Sequence, residues 1–278
     1  MFLTKKVCVM QYHKKQGIGF LTYALNTDVD YEKCAVLWAL SLRATQKQPC
    51  KIAVVVNDKN SCRSDLHDVC DFVITKPTKS VVNEMHYESE LLNVTPFKET
   101  IKMEADMLVP CDMSVWLHTF RTMDLCITGR VIDHKNKITD DTKYRQFIKS
   151  NLLPNVYNGL YYVRLTEQNV KFYRELDRVF SNWQTEIRKY RMWENHKPST
   201  DFAMSMALAN LGMENCVMDH TVPTFVHNKR YCVGDWKYHS VPQPSDIIVN
   251  GANLKYPWHY HDKSIASEKL ISKYKQHV

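Results

Sequence analysis

The residues whose spacing is best suited to chemistry are two acids, Glu104 and Asp106, which a single alanine separates. They follow the strand-like run Thr100–Met103 and precede the apolar residues Met107-Leu108-Val109. If the chain bends where the strand ends, both carboxylates project towards a common site. Paired carboxylates suit Mg²⁺ or Mn²⁺, and such an ion stabilises negative charge that develops on a departing group. Because Glu-x-Asp is a common tripeptide, two solvated acids on a loop are the alternative.

Strand-like and helix-like segments alternate around this acidic pair. The predicted strands are Val7–Tyr12, Lys51–Val56, Phe72–Thr75, Leu125–Thr128 and Leu160–Leu165. The predicted helices are Asp30–Thr45 with Asp28 or Asp30 as its cap, an amphipathic Val170–Trp193, Ser199–Leu211, and a polar helix within Ile265–Tyr274. Strands separated by helices predict an α/β fold whose mostly parallel central sheet is covered on both faces. Ligands are then expected at the carboxyl ends of the strands.

Composition narrows the class of protein. The chain of 278 residues is long enough for one large α/β domain or two small ones. Its net charge of +7 favours acidic partners such as nucleotides, nucleic acid or anionic membrane, with solubility as the alternative explanation. Nine cysteines, an odd number without C-x-x-C spacing, argue against a disulfide framework and a zinc ribbon. We find no signal peptide and no apolar stretch approaching the ~20 residues of a transmembrane helix, so we predict a cytoplasmic protein. P-loop, dinucleotide-binding, serine-hydrolase and metalloprotease motifs are also missing from the sequence.

Four stretches resemble, in the same order, the motifs of GT-A glycosyltransferases of the glycogenin-like and bacterial galactosyltransferase-like family. They are Ile101–Val109, similar to the Asp-x-Asp region, then Tyr157–Val163, Pro198–Ala203 and Lys255–Trp258. The resemblance covers residues 5 to 264. It implies a single domain over residues 1–278, in which residues 1–128 bind a nucleotide sugar. Residues 129–278 would then bind the acceptor and supply a C-terminal extension over the active site.

The resemblance also implies an activity and roles for particular residues. The enzyme would be a metal-dependent hexosyl- or pentosyltransferase that uses a UDP-sugar or similar donor and retains the anomeric configuration. Asn158 would position the acceptor hydroxyl, and Asp201 would bind sugar hydroxyls or act as a base, with helix capping as its alternative role. The residues expected to contact the nucleotide sugar, through its base, ribose or phosphates, are Gln11, Tyr12, Asn57, Asp58, Lys255 and Lys263. The alternatives for these six are turn formation and solvated surface charge.

The chain departs from the family pattern at the metal ligands. Glu104 stands where the family has aspartate, and Ile247–Asn250, where the family has its metal histidine, contains none. The remaining ligand is therefore expected from His259 or His261, which would share one face of a strand because they are two residues apart. Aromatic packing at the surface is the alternative for both histidines.

A basic and aromatic segment lies between the two acceptor-side motifs. It carries Arg188, Lys189, Arg191 and Trp193 at the end of a predicted helix. Cations interleaved with aromatic rings can neutralise phosphates and stack on an extruded base. The helix dipole, which favours cations near a carboxyl end, is an equally simple explanation.

A compact, basic chain without a membrane anchor is similar to phage-encoded glycosyltransferases that modify DNA bases. This resemblance implies that the acceptor is a flipped cytosine that is hydroxymethylated or already glycosylated, reached in the host cytoplasm. One alternative is a lipid or surface-glycan acceptor, with Lys269–Lys275 as a short membrane-contact segment. Another is a non-catalytic nucleic-acid-binding protein that has a GT-A-like fold, since fold does not imply function.

Overall fold

A computed structural model describes residues 15–76, 85–139, 143–190, 197–219, 222–227, 238–240 and 243–278. The strands in these ranges are β1 (Gln16–Ala24), β2 (Lys51–Val56), β3 (Phe72–Thr75), β4 (Phe97–Met103), β5 (Met107–Leu108), β6 (Leu125–Thr128), β7 (Tyr157–Arg164), β8 (Val217–Met218), β9 (Val226–His227), β10 (Tyr238–Ser240), β11 (Ile248–Val249), β12 (Ala252–Asn253) and β13 (Trp258–His259). The α-helices are α1 (Tyr31–Thr45), α2 (Asp65–Val69), α3 (Leu91–Val94), α4 (Leu117–Phe120), α5 (Lys143–Ser150), α6 (Glu167–Ser181), α7 (Trp183–Lys189), α8 (Thr200–Leu211) and α9 (Glu268–Lys275).

Seven of these strands form the central sheet in the order β3-β2-β1-β4-β7-β6-β8. Four of its six neighbouring pairs are parallel, and β7 runs antiparallel to both β4 and β6. The prediction of an α/β fold with a mostly parallel sheet is therefore confirmed. The predicted strand Leu160–Leu165 starts earlier, at Tyr157, so that Asn158 and Gly159 belong to the sheet.

Helices cover both faces of the sheet. Along β2, Ile52, Val54 and Val56 face one apolar layer with α1 and α9, whereas Ala53 and Val55 face a second layer with α6 and α8. All five side chains are fully buried. Burial on both faces explains why β2 is a continuous apolar run rather than an alternating one.

The first strand of the sheet was not predicted. The predicted strand Val7–Tyr12 lies outside the described residues, and β1, at Gln16–Ala24, had not been predicted. Two glycines interrupt the apolar pattern at the start of β1. A Cβ atom on Gly19 would stand 2.3 Å from the Phe97 ring, so this glycine marks close packing inside a strand.

The predicted long helix Val170–Trp193 is wrong in its bounds. The structure begins α6 at Glu167, where the Thr166 side chain caps the helix, and ends it at Ser181. Asn182 interrupts the helix, and its side-chain amide donates to the Arg178 carbonyl. Local hydrogen bonding by asparagine competes with helix continuation, so α7 starts as a separate short helix.

The C-terminal helix packs onto the domain. It starts at Glu268 rather than Ile265, and Ser267 caps it. Leu270, Ile271 and Tyr274 are buried in the same apolar layer as α1. These apolar side chains of Lys269–Lys275 are already covered, which argues against the membrane-contact role. Within the described ranges, no helix combines the length and the apolar character needed to cross a bilayer.

Candidate active site

A bend between two sheets places the acidic pair. The central-sheet strand β4 ends at Met103, and β5 starts at Met107 in a separate three-stranded sheet of order β5-β13-β9. The Glu104 amide donates to the Gly159 carbonyl at 3.0 Å, which fixes the bend against β7. Glu104 and Asp106 therefore leave the edge of the sheet together, as ligands at the carboxyl end of a strand require.

The small sheet brings His259 to the two acids. His259 lies opposite Met107 in the antiparallel pair β5–β13, and the Tyr260 amide donates to the Asp106 carbonyl at 3.1 Å. Its Nε2 atom is 3.0 Å from Asp106 Oδ2 and 3.3 Å from Glu104 Oε2. One ligand atom from each of the three residues lies within 4.8 Å of the others. Two carboxylates and an imidazole thus converge on one point.

The ionisable groups at this point shift one another's pKa. Burial raises the pKa of Glu104. The His259 imidazole acts to lower this pKa, whereas the nearby Asp106 carboxylate raises it further. Burial also acts to raise the pKa of Asp106, but His259 and Lys263 outweigh it and hold this pKa well below its usual range. The Asp106 and Glu104 carboxylates raise the pKa of His259 despite its burial, which acts in the opposite direction. The acidic pair is therefore a centre that stabilises positive charge.

Lys263 lies beside these carboxylates. Its ammonium forms a hydrogen-bonded ion pair with Asp106 Oδ2, and it lies 5.7 Å from the centre of the Tyr31 ring. Its side chain is 26% exposed, so a ligand in the site can reach it.

The donor set fits a divalent cation. Carboxylate oxygens suit Mg²⁺ and Mn²⁺, and the imidazole of His259 suits the transition metal of the two. The ion pair between the Lys263 ammonium and the buried Asp106 carboxylate shows that this point already attracts a cation. The residues that would hold the metal are Glu104, Asp106 and His259, whereas His261 lies with His227 and His259 in a second group.

The two predicted acceptor-side residues contact each other. Asp201, in the first turn of α8, accepts a hydrogen bond from the Asn158 amide at 2.8 Å through Oδ1. Its Oδ2 forms a partly buried ion pair with Arg145. On the other side, Lys102 donates to the Asn158 carbonyl at 3.2 Å and lies 3.4 Å from Glu88. The backbone of Asn158 is thereby held from two directions.

The side chain of Asn158 is buried, yet its Oδ1 atom has no hydrogen-bond partner among the described residues. A buried carbonyl oxygen without a partner is costly, so this atom is available to accept from a bound hydroxyl. Asn158 directly precedes Gly159, which lies against the Glu104 carboxylate.

Replacing Gly159 with alanine is expected to lower the free energy of unfolding by about 1–3 kcal/mol and to weaken metal binding, because the site has no room for a methyl group. A Cβ atom there would stand 2.8 Å from Met107 Cε and Phe225 Cζ and 3.2 Å from Glu104 Oε2. Urea unfolding and Mn²⁺ titration measure the two effects. Phe225→Leu in the same chain removes the Cζ atom and should restore part of the stability. Wild-type stability and Mn²⁺ affinity in Gly159→Ala would contradict this packing.

The residues predicted to contact the nucleotide lie partly in the described chain. Asn57 and Asp58 follow β2, as expected from the sequence. Asn57 Oδ1 is buried and meets no partner in the described ranges, whereas Asp58 accepts from the Asn60 amide at 3.0 Å in a local turn. Gln11 and Tyr12 lie outside the described residues.

Lys255 lines a cavity whose described lining includes neither acid of the pair. This cavity, of about 410 Å³, is also lined by Arg130, Ile132, Asn136, Ile138, Thr224 and Tyr256. Arg130 Nε is buried and has no hydrogen-bond partner among the described residues. The cavity therefore combines two cations with an aromatic ring.

The predicted basic segment is described in part. Arg188 and Lys189 are exposed at the end of α7, and Lys189 pairs with Glu186 at 2.8 Å. Arg191 and Trp193 lie outside the described residues.

Two residues of the site were missed from the sequence, namely Arg145 and His227. Arg145 lies in α5, 56 residues before Asp201. His227 Nδ1 is 2.9 Å from His259 Nδ1, and burial followed by the neighbouring imidazoles lowers the pKa of His227 well below its usual value. Neither residue belongs to a recognisable local motif, so no sequence signal pointed to them.

Comparison with known proteins identifies the fold. No family model and no curated protein matches the chain. Mouse xyloside xylosyltransferase 1, in its apo form, matches with a TM-score of 0.53 at 13% identity over 88% of this chain and 98% of that one. The galactosyltransferase LgtC matches with a TM-score of 0.48 at 11% identity over 93% and 94%. The glycosyltransferase GlyE of Streptococcus pneumoniae matches with 0.38 at 10% over 73% and 44%.

The mixed sheet and its flanking helices define the class of fold. Together with the xylosyltransferase match they show a GT-A glycosyltransferase fold. The predicted fold class is therefore confirmed. At this level of identity the match concerns the fold, and the activity has to be argued from the site.

Proposed function

We propose that this chain is a metal-dependent glycosyltransferase that moves a sugar from a nucleotide diphosphate sugar to an acceptor hydroxyl. The observation that carries the proposal is the convergence of Glu104, Asp106 and His259 at the end of β4 in a GT-A fold. We take the donor to be a UDP-sugar and the anomeric configuration to be retained, as the motif resemblance implies.

In this proposal the residues of the site have different roles in sugar transfer. Glu104, Asp106 and His259 would hold a divalent ion, which as a Lewis acid stabilises negative charge on the departing diphosphate. Lys263 can leave Asp106 for a phosphate oxygen, since its flexible side chain is partly exposed. Asn158 Oδ1 would accept a hydrogen bond from a hydroxyl of the sugar or the acceptor.

Asp201 acts in this proposal as a positioning residue. Both of its carboxylate oxygens are engaged, one by the Asn158 amide and the other by Arg145. Because both oxygens already accept hydrogen bonds from the protein, neither is left for the proton of an acceptor hydroxyl. Its contribution is to fix the backbone of Asn158 beside Gly159 and the metal ligands.

The cavity with Arg130 and Lys255 favours an acceptor that carries phosphate. Two residues of the cavity lining, Thr224 and Tyr256, lie just before the strands β9 and β13. These strands carry His227 and His259, so the cavity is connected to the metal site through the small sheet. The Arg130 guanidinium has a buried nitrogen with no partner among the described residues, and together with the Lys255 ammonium it suits a phosphate group. DNA that carries hydroxymethylated or glycosylated cytosine is the acceptor we propose, in keeping with the net charge of +7.

The test measures the release of nucleotide diphosphate from a panel of nucleotide sugars with Mn²⁺. Each donor is assayed alone, with unmodified DNA, and with hydroxymethylated or pre-glycosylated DNA. Release that only modified DNA stimulates would support both donor and acceptor. Release that DNA does not stimulate would still support the proposed transferase activity, but it would favour a lipid or glycan acceptor. A folded protein that neither binds nor cleaves any donor would support the non-catalytic alternative.

A matched pair of variants separates acceptor binding from donor cleavage. Arg130→Gln and Lys255→Gln remove the cations of the cavity and leave Glu104, Asp106 and His259 in place. They are expected to raise KM for DNA and to leave the affinity for the donor near its wild-type value. An unchanged KM for DNA in the double variant would show that the cavity does not bind the acceptor.

A further inference from the structure

A cluster of three imidazoles lies beside the acidic pair. We propose that His227, His259 and His261 form a second cation site, one that takes a borderline transition metal such as Zn²⁺, Co²⁺ or Ni²⁺. This site shares His259 with the Glu104–Asp106 site, so the two sites are occupied in alternation. The inference goes beyond sugar transfer, because it concerns which metals the chain binds and through which residues.

Strand pairing creates the cluster. His227 on β9 lies directly opposite His259 on β13 in the parallel register of the small sheet. Side chains opposite each other in a ladder point to the same face, and a residue two positions further along the strand returns to that face. His261 follows His259 by two positions. Strand pairing therefore sets the rings of His227 and His259 side by side, and His261, in a bend just after β13, has its ring centre 4.6–4.7 Å from both.

The distances agree with this arrangement. The ring centres are separated by 5.0 Å for His227–His259, 4.7 Å for His227–His261 and 4.6 Å for His259–His261. One nitrogen from each ring lies within 4.8 Å of the other two. Nitrogens that share a tetrahedral Zn²⁺ at about 2.0–2.1 Å stand roughly 3.3 Å apart. His227 Nδ1 and His259 Nδ1 are already 2.9 Å apart, so the three nitrogens lie close to the spacing that such a site requires.

The surroundings favour a metal with a defined geometry. The Phe225 and Tyr157 rings pack edge-on against His227, at 5.9 Å and 6.1 Å between centres. Aromatic walls restrict ring rotation and water access, both of which tune a metal site. Three histidines leave a fourth position open for water or substrate, as in catalytic zinc sites. Imidazole ligands select Zn²⁺, Cu²⁺ or Ni²⁺ over Mg²⁺ and Ca²⁺.

His259 links the two sites through its two nitrogens. Nε2 faces Asp106 at 3.0 Å, whereas Nδ1 faces His227 Nδ1 at 2.9 Å. A neutral imidazole has one nitrogen that can accept or ligate, and its other nitrogen carries the proton. When a metal binds His259 through Nδ1, Nε2 carries the proton and cannot ligate a metal at the acidic site. Excess Zn²⁺ should consequently compete with Mn²⁺ although the two ions prefer different ligands.

Titration of the full chain with Co²⁺ tests the site without any sugar donor. We expect the visible absorption of four-coordinate Co²⁺ to appear in the wild-type protein. Because His227→Gln and His261→Gln each remove one ligand, both should weaken this binding by about 10–100-fold or more. Glu104→Gln, which alters the acidic site, should keep the Co²⁺ absorption. His118→Gln, at an exposed position on α4, controls for adventitious binding to histidine.

Competition between metals provides the second readout. Mn²⁺ binding, followed by electron paramagnetic resonance, should persist in His261→Gln, while its displacement by Zn²⁺ should be lost. Equal Co²⁺ affinity in the wild type, His227→Gln and His261→Gln would overturn the proposal. So would loss of the Co²⁺ absorption in Glu104→Gln, which would show a single site at the acids. Neither readout depends on turnover, so a failure of the proposed transferase activity is distinguishable from a failure of this site.

Discussion

Replacing Asp106 with asparagine is expected to lower kcat/KM for sugar transfer by about 10³-fold, which corresponds to about 4 kcal/mol of transition-state stabilisation. The change removes one negative charge from a point where His259 Nε2 lies 3.0 Å away and Lys263 forms an ion pair. The metal would lose an anionic ligand, and the two cationic partners would lose their counter-ion. Mn²⁺ titration by electron paramagnetic resonance and steady-state kinetics measure the two losses.

Glu99→Gln is the matched control for this change. Glu99 lies on the same strand as the lead-in to the acidic pair, but it pairs with Arg121 at 2.8 Å and accepts from the Tyr162 hydroxyl at 2.8 Å. The same acid-to-amide replacement at this position is expected to leave Mn²⁺ affinity unchanged. Glu104→Gln should weaken Mn²⁺ binding as Asp106→Asn does, because both acids face the same ion. Full Mn²⁺ affinity and turnover in Asp106→Asn would place the metal elsewhere.

The second large effect is expected from Arg145→Met, which should lower the free energy of unfolding by about 3–5 kcal/mol. The Arg145 side chain is 7% exposed and forms an ion pair with Asp201. It also donates to the Val156 carbonyl and lies 3.5 Å from the centre of the Tyr157 ring. Removing the guanidinium leaves a partly buried carboxylate without its counter-charge, which is costly in a low-dielectric environment. Urea unfolding measures the loss.

A double-mutant cycle separates the ion pair from the packing of the long side chain. Asp201→Asn keeps an oxygen that can accept from the Asn158 amide but removes the charge. The double variant is therefore expected to be less destabilised than the sum of the two single variants. Arg121→Met is the control, since its ion pair with Glu99 is 46% exposed on the arginine side and should contribute about 0–1 kcal/mol. Strict additivity in the cycle would show that Arg145 acts through packing alone.

Hydrophobic periodicity and helix-capping signals in the sequence were sufficient to predict those strands and helices that are defined by neighbouring residues. The strand β2 and the helix α1 are found where they were predicted, and Asp30 caps α1 by accepting from the Lys33 amide. The acidic pair was placed at a strand end from its neighbours alone, and β4 does end at Met103. A buried strand and a capped helix are defined by residues adjacent in the chain, so their signals survive without tertiary information.

Tertiary structure alone decided which distant residues complete the site. His227 reaches His259 because two short strands pair across 32 positions, and Arg145 reaches Asp201 because α5 packs beside α8 across 56 positions. The close packing of Gly19 against the Phe97 ring likewise joins two strands, β1 and β4, that are distant in the sequence. Contacts of this kind depend on register and packing between elements rather than on local periodicity. The sequence by itself therefore determined the α/β class and the acidic pair, whereas the tertiary structure decided that His227 joins His259 and that Arg145 joins Asp201.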